Sequence, residues 1–98
     1  MTREVSFHEH AELELNDAAV FFESKTAGLG TRFLSAVEKA VAEITQHPQA
    51  SPIILHQVRR KLVRKFPYSI MFTIKPDHIR ILAIANQKRR PFYWRGRK

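Results

Sequence analysis

The chain has 98 residues, no cysteine and a formal net charge of +8, a length that fits one domain over residues 1–98 with a shallow site. The lack of cysteine excludes disulfides and zinc–thiolate sites, and we expect a cytoplasmic protein that uses no metal and no cofactor. No apolar run approaches the roughly 20 residues needed to cross a bilayer, so no membrane association is expected.

The first half of the chain predicts one strand and two helices. Val5 and Phe7 alternate with polar residues, the pattern of a short strand that buries one face. From about Ala11 the apolar period becomes helical, and two glycines, at positions 28 and 30, separate this helix from a second apolar stripe over residues 33–44. We expect the two helices to form a hairpin.

The second half predicts strands. Residues 54–62 form a mixed run, and residues 68–75 alternate between apolar and polar side chains. A turn at Pro76 and Asp77 leads into the nearly continuous apolar run 79–85, which is typical of a central strand covered on both faces. We predict an α+β fold with an N-terminal strand and a two-helix hairpin packed on one face of a small twisted antiparallel sheet. The other sheet face is the expected working surface.

The charges separate into two halves. Residues 1–50 carry four Lys or Arg against eight Asp or Glu, a net charge of −4, whereas residues 51–98 carry thirteen against Asp77 alone, a net charge of +12. Glu12, Glu14 and Asp17 are interpreted as the solvated face of the first helix. The positive half is expected to attract a polyanion, either a nucleic acid or an acidic protein segment.

Two basic clusters, near residues 59–65 and 89–98, are predicted to meet in one groove. Arginine forks hold phosphate or carboxylate oxygens in pairs, and the aromatic rings of the second cluster offer flat surfaces to a base or a peptide. For Phe92 and Trp94 the alternative is that they fold back onto the core. The candidate residues for binding a target or a nucleic acid are Arg59, Arg60, Lys61, Arg64, Arg80, Arg89, Arg90, Tyr93, Trp94 and Arg95.

Five short segments of the second half follow one another in a set order: Val58-Arg59-Arg60, Phe66-Pro67-Tyr68, residues 79–85, Arg89-Arg90-Pro91 and Tyr93-Trp94. Their order and spacing resemble the RelE/ParE superfamily of bacterial toxins from type II toxin–antitoxin systems, also described as the plasmid stabilisation family. With the paired helices, the likeness spans nearly the whole chain. It implies a cytoplasmic toxin that inhibits growth and is neutralised in a hetero-oligomer by a cognate acidic antitoxin.

The resemblance leaves two targets open. ParE-like members poison DNA gyrase, whereas RelE-like members are ribosome-dependent, metal-independent endonucleases that cut mRNA. If the chain is a nuclease, the resemblance implies Lys61 as the basic group, Arg89 or Arg90 as the phosphate clamp, and Tyr93 in stacking or acid–base catalysis. Arg64 is a further catalytic candidate, and Arg64 and Arg80 are expected to supply a phosphate-holding guanidinium if their side chains reach the groove.

Two departures from the nuclease pattern favour gyrase. Nuclease members commonly place an arginine directly after the residue that matches Tyr68, and this chain has Ser69 there. Many relatives carry a histidine where this chain has Asn86, so an imidazole that titrates near neutrality is missing. A hypothesis from another class is a non-toxic nucleic-acid-binding module, which the same positive half would suit.

Overall fold

The computed structural model describes residues 3–98, which contain five strands, two helices and one 3₁₀ turn. Along the chain these are β1 Glu4–Phe7, α1 Glu9–Lys25, α2 Leu29–Gln46, the 3₁₀ turn Pro48–Ala50, β2 Ile53–Leu55, β3 Val58–Leu62, β4 Tyr68–Ile74 and β5 His78–Asn86. Neither helix is long and apolar enough to cross a membrane.

The strands form one sheet in the order β1-β5-β4-β3-β2. Strands β2 to β5 pair as an antiparallel meander, in which the mixed run 54–62 is divided into β2 and β3 by a turn at His56 and Gln57. Strand β1 pairs in parallel with β5, because two helices intervene between β1 and the meander and return the chain to the same end of the sheet. The α+β fold is therefore confirmed, with a mixed sheet rather than a purely antiparallel one.

The helix hairpin depends on two glycines that act in different ways. Gly28 has a φ of +86° and precedes α2, a conformation that glycine adopts without steric cost. Gly30 lies inside α2, where an added Cβ would be 2.5 Å from the carbonyl oxygen of Ala19 in α1. The Glu23 carboxylate accepts the N–H groups of Gly28 and Gly30 at 2.8 and 2.9 Å. The first turn of α2 is thus capped by α1 and packed tightly against it.

The helices cover one face of the sheet, as the apolar periods predicted. From α2 come the buried side chains of Phe33 and Ile44, and from β5 those of Ile79 and Ile81. Helix α1 contributes small residues such as Ala18, which allow it to lie close to the sheet. This layer is the main hydrophobic core.

The opposite sheet face is partly covered by residues 87–98, which we call the tail. Trp94 is 3% exposed and packs on Met71, Ala83 and Ala85. Across the strands Met71 pairs with Ala83, and Ala85 pairs with Ser69. These small side chains leave room for the indole ring. The apolar run of β5 is therefore covered on both faces, and the expected working surface is reduced to a groove beside the tail.

Candidate binding grooves

The tail is folded into successive tight turns. The Arg95 N–H donates to the Phe92 carbonyl at 2.9 Å, and the Arg97 N–H donates to the Trp94 carbonyl at 3.1 Å. Phe92 and Gly96 have φ angles of +60° and +96°, which reverse the chain direction at each turn. This path returns the tail across the sheet instead of letting it extend into solvent.

Glu14 of α1 fixes the tail to the sheet edge. Its carboxylate accepts the Tyr93 hydroxyl at 2.8 Å and both terminal nitrogens of Arg97 at 3.0 Å. It also accepts the Ile84 N–H at 3.1 Å. That N–H is available because β1 ends opposite Ile81, which leaves the rest of the β5 edge without a strand partner. The side chains of Glu14 and Arg97 are only 16% and 15% exposed, so these hydrogen bonds are shielded from water.

Two guanidinium groups lie close to the Tyr93 ring. Arg89 is 3.9 Å and Arg97 is 5.2 Å from the ring centroid, distances at which cations are attracted to the aromatic face. Burial, followed by the hydrogen bond to Glu14, raises the pKa of the Tyr93 hydroxyl well above its usual value. The phenol is therefore neutral at physiological pH, and its ionisation is less favourable than that of a solvent-exposed tyrosine.

A groove of about 430 Å³ runs between the tail and the ends of β3 to β5. We call it the tail groove. Its exposed cations are Arg60 from β3 and Arg89 and Arg90 from the tail. Five of the predicted binding residues come together here: Arg60, Arg89, Arg90, Tyr93 and Trp94. Trp94 forms part of the floor rather than an exposed stacking surface, since it is a core residue. Ser69 and Asn86 also line the groove.

Arg59 and Lys61 do not line the tail groove. Because side chains alternate along a strand, these neighbours of Arg60 point to the helix side of the sheet. Arg59 donates to the carbonyls of Ser51 and Gln49 at 2.7 and 3.3 Å. Lys61 pairs with Glu43 of α2 at 3.2 Å, and the hydrogen bond from Lys61 is the main reason that the pKa of the Glu43 carboxyl is lowered.

Arg80 and Arg95 also lie away from the tail groove. Arg80 donates to the Lys98 carbonyl at 3.2 and 3.3 Å and to the Ser6 hydroxyl at 3.2 Å. It is six residues from Asn86 along β5, or about 20 Å at the usual rise of a strand. The Arg80 side chain therefore does not reach the tail groove, which was the condition for its predicted role there. Arg95 is exposed and lines a separate depression further along the tail.

Arg64 lines a second groove of about 490 Å³ between α2 and the connection from β3 to β4. We call it the α2 groove. Its other cations are Arg32 and Lys39 of α2 and Lys65 of the connection. Sequence reasoning missed Arg32 and Lys39 because they belong to the acidic half of the chain. Their spacing of seven residues, which places both on one face of a helix, was the signal that could have found them.

Neither groove is arranged as a metal centre. Within residues 3–98, no three His, Asp or Glu side chains come close enough together to hold an ion. The chemistry of both surfaces is that of fixed cations beside apolar side chains. Such surfaces suit the binding of acidic or mixed partners.

Comparison with known proteins gives one family and one fold. The sequence profile of the family described as "ParE toxin of type II toxin-antitoxin system, parDE" matches residues 5–91. A solved structure titled "Chromosomal ParDE TA system from P. aeruginosa" matches with a TM-score of 0.73 and 18% identity, over 87% of this chain and 96% of that one. No curated protein matches the chain. The family match begins one residue inside β1 and includes the other strands and both helices, but it ends at Pro91, before Tyr93 and Arg97.

Proposed function

Because this chain belongs to the ParE toxin family of type II toxin–antitoxin systems, we propose that it arrests growth by binding DNA gyrase through the tail groove. A cognate acidic antitoxin neutralises it in a cytoplasmic hetero-oligomer. The protein inhibits by binding and carries out no RNA cleavage. The main support for binding rather than cleavage is the hydrogen bond that the Tyr93 hydroxyl donates to the Glu14 carboxylate at 2.8 Å.

RNA cleavage needs one group that removes the 2′-hydroxyl proton and another that protonates the leaving oxygen. Tyr93 is a poor candidate for either role, because its hydroxyl donates to Glu14 and its pKa is raised by burial. Ser69 and Asn86 stand where the nuclease pattern has an arginine and a histidine, and Lys61 is paired on the opposite face of the sheet. The lining of the tail groove can hold an anion but offers no matched acid and base.

The surface around the tail groove also favours a protein as the target. Leu62 and Phe92 line it with 57% and 39% of their surface exposed, next to the exposed cations Arg60, Arg89 and Arg90. Protein interfaces combine apolar anchors with arginines, whereas a nucleic-acid backbone is contacted mainly by cationic and other polar groups. This mixture supports binding to an acidic region of gyrase.

Two assays run with the same purified protein test the proposal. We expect inhibition of gyrase supercoiling and no cleavage of ribosome-bound mRNA by primer extension. The double variant R89A/R90A should lose the inhibition by at least ~10-fold, since it removes two exposed cations of the groove. The control K25A/K75A removes the same charge at exposed residues outside both grooves and should inhibit like the wild type.

Three outcomes would contradict the proposal. Cleavage of mRNA without an effect on gyrase would identify the chain as a RelE-like endonuclease. Unimpaired growth on overexpression of intact, folded protein would identify a non-toxic nucleic-acid-binding module. Equal inhibition by R89A/R90A and the wild type would place the gyrase contact outside the tail groove.

A further inference from the structure

We propose that the outer face of α1 binds the tail of a second copy of this chain, and that two copies close into a dimer with twofold symmetry in which both tail grooves are covered. The dimer itself does not depend on the proposed function. Only its consequence, that the dimer cannot inhibit the target, rests on that function.

The outer face of α1 carries exposed apolar side chains around one carboxylate. Leu13, Val20 and Phe21 are exposed by 57%, 70% and 52%. Asp17 is also exposed, and its spacing of three or four residues from each of them places all four on one face of the helix. Among residues 3–98 its carboxylate forms no ion pair. We call these four residues the α1 patch. Apolar side chains grouped in this way on a surface indicate a protein interface.

The tail carries a patch of the opposite charge, formed by Arg89, Arg90 and Phe92, which we call the tail patch. Both arginines are exposed, and Phe92 is 39% exposed. The Arg89 guanidinium lies 3.9 Å from the centroid of the Tyr93 ring, and the Tyr93 hydroxyl is held by its hydrogen bond to α1. A cation that is already positioned loses less conformational freedom when it binds an anion.

The α1 patch and the tail patch are neighbours on the surface. Asp17 and Phe21 line a depression of about 200 Å³ whose other wall includes Arg89. A twofold axis that passes near this depression places each α1 patch opposite the tail patch of the other copy. The dimer then contains two equivalent ion pairs, each between Asp17 of one copy and Arg89 of the other, together with apolar contacts to Phe92. Both the charge and the apolar character of the two patches are complementary.

Other ways of covering the α1 patch with a second copy are less favourable. A contact between two α1 patches would bring the two Asp17 carboxylates to the same interface, where like charges repel. A contact that joined an α1 patch to a tail patch on the far side of the molecule would leave free ends and build an open chain of copies. The closed dimer satisfies both patches of both copies because they are adjacent.

The dimer covers the cations that the proposed function assigns to gyrase. Arg89 and Arg90 line the tail groove, and in the dimer the α1 patch of the partner lies over them. Only the monomer would then bind the target. Because the monomer fraction falls as the protein concentration rises, the chain would limit its own inhibitory activity.

Sedimentation of the purified full-length chain tests for the dimer. We expect the wild type to be dimeric at ~100 μM and to dissociate on dilution. Asp17→Arg and Arg89→Glu should each raise the dimer Kd at least ~10-fold, because each reversal creates two repulsive pairs per dimer. The controls Glu38→Arg and Arg32→Glu reverse exposed charges of α2 outside both patches and should dimerise like the wild type.

An equal mixture of the two monomeric variants tests the pairing. In a dimer of one Asp17→Arg copy and one Arg89→Glu copy, both contacts again join opposite charges, so we expect the mixture to regain the dimer mass. A wild type that stays monomeric at ~100 μM, a dimer that Arg89→Glu leaves intact, a mixture that stays monomeric, or an open series of larger species would each overturn the proposal.

Val20→Ser tests whether the dimer blocks inhibition, because it removes an apolar anchor of the α1 patch without changing the charge near the tail groove. We expect it to raise the dimer Kd at least ~10-fold. At a concentration where the wild type is mainly dimeric, it should inhibit supercoiling at least ~3-fold more strongly than the wild type. Equal inhibition there would show that the dimer leaves the tail groove open, and a Val20→Ser dimer of wild-type affinity would place the interface elsewhere. If the wild type does not affect gyrase but the mixed variants still regain the dimer, the proposed target is wrong and the dimer stands.

Discussion

The Tyr93 hydroxyl lies 2.8 Å from a carboxylate oxygen of Glu14, a contact that joins residues 79 positions apart in sequence. It connects the acidic helix layer to the basic tail. Since Arg97 binds both oxygens of the same carboxylate, the tail is held at two of its residues. The positions of Arg89 and Arg90, the tail's cations in the tail groove, therefore depend on one helical carboxylate.

Replacement of Glu14 should loosen the tail and destabilise the fold. Glu14→Ala leaves Arg97 without its carboxylate partner and the Ile84 N–H without an acceptor, and we expect a loss of about 2–4 kcal/mol in the free energy of unfolding. Urea denaturation measures this loss. Glu12→Ala, at an exposed position of the same helix, should change stability by less than ~0.5 kcal/mol. Similar losses in both variants would show that Glu14 is an ordinary surface residue.

The Tyr93 hydroxyl should make stability fall at high pH. Burial raises the pKa of Tyr93 above its usual value of 10.0, so the folded state keeps the proton at a pH where the unfolded state releases it. Stability from this hydroxyl is complete below pH 10 and is lost as pH rises above it. Thermal denaturation from pH 8 to 11 should therefore show a steeper decline for the wild type than for Tyr93→Phe. If the stability of both proteins declined equally with pH, the pKa of Tyr93 would not be raised in the folded state.

The sequence was sufficient to predict the helices and the strand meander, because their apolar periods report which faces are buried. The period-two pattern of β3 also separates Arg60 from Arg59 and Lys61, but it does not say which face meets the helices. That choice depends on the register with β4, where Arg60 lies opposite Met71 on the tail side.

The side-chain partners of the tail could not be predicted from the sequence. Glu14 has the same helical context as the exposed Glu12, and only the end of β1 and the return of the tail give it partners. The position of Arg64 depends on the β3–β4 connection, where Lys65 has a φ of +70°. Such contacts depend on the route that the tail and the β3–β4 connection take through space, which the apolar periodicity of the sequence does not reveal.

Arg59 and Arg60 are adjacent, but their replacement by alanine should affect different properties, stability for Arg59 and inhibition for Arg60. Arg59→Ala removes hydrogen bonds to the carbonyls of Gln49 and Ser51, so we expect about 1–2 kcal/mol less stability and unchanged gyrase inhibition per folded molecule. Arg60→Ala removes an exposed cation of the tail groove and should weaken inhibition with little change in stability. Urea denaturation and supercoiling assays on both variants check this. If Arg59→Ala weakened inhibition and Arg60→Ala lowered stability, the gyrase contact would lie on the helix side of β3 and not on the tail side.

The two glycines of the helix hairpin should respond differently to alanine. At Gly30 the new Cβ would be 2.5 Å from the Ala19 carbonyl oxygen, and the shift this forces should cost about 2 kcal/mol even after the gain in helix propensity. At Gly28 nothing lies within 4 Å of the Cβ position, so the loss comes from the positive φ alone, about 1 kcal/mol. Calorimetry measures both. A higher Tm for Gly30→Ala would mean that the helices can separate without loss.

Glu23 should contribute to acid sensitivity. Hydrogen bonds from the Gly28 and Gly30 N–H groups lower the pKa of its carboxyl below the usual 4.5. The folded state therefore holds the ionised form at a pH where the unfolded state takes up a proton. This stabilisation is complete above pH 4.5 and disappears as pH falls through the folded-state pKa. Glu23→Gln should be less stable than the wild type at pH 7, and the two Tm values should converge toward pH 3. The Glu43 and Asp77 carboxyls, whose pKa values are also lowered, are present in both proteins and cancel in the comparison. A constant difference in Tm from pH 7 to pH 3 would show that Glu23 acts through packing and not through its charge.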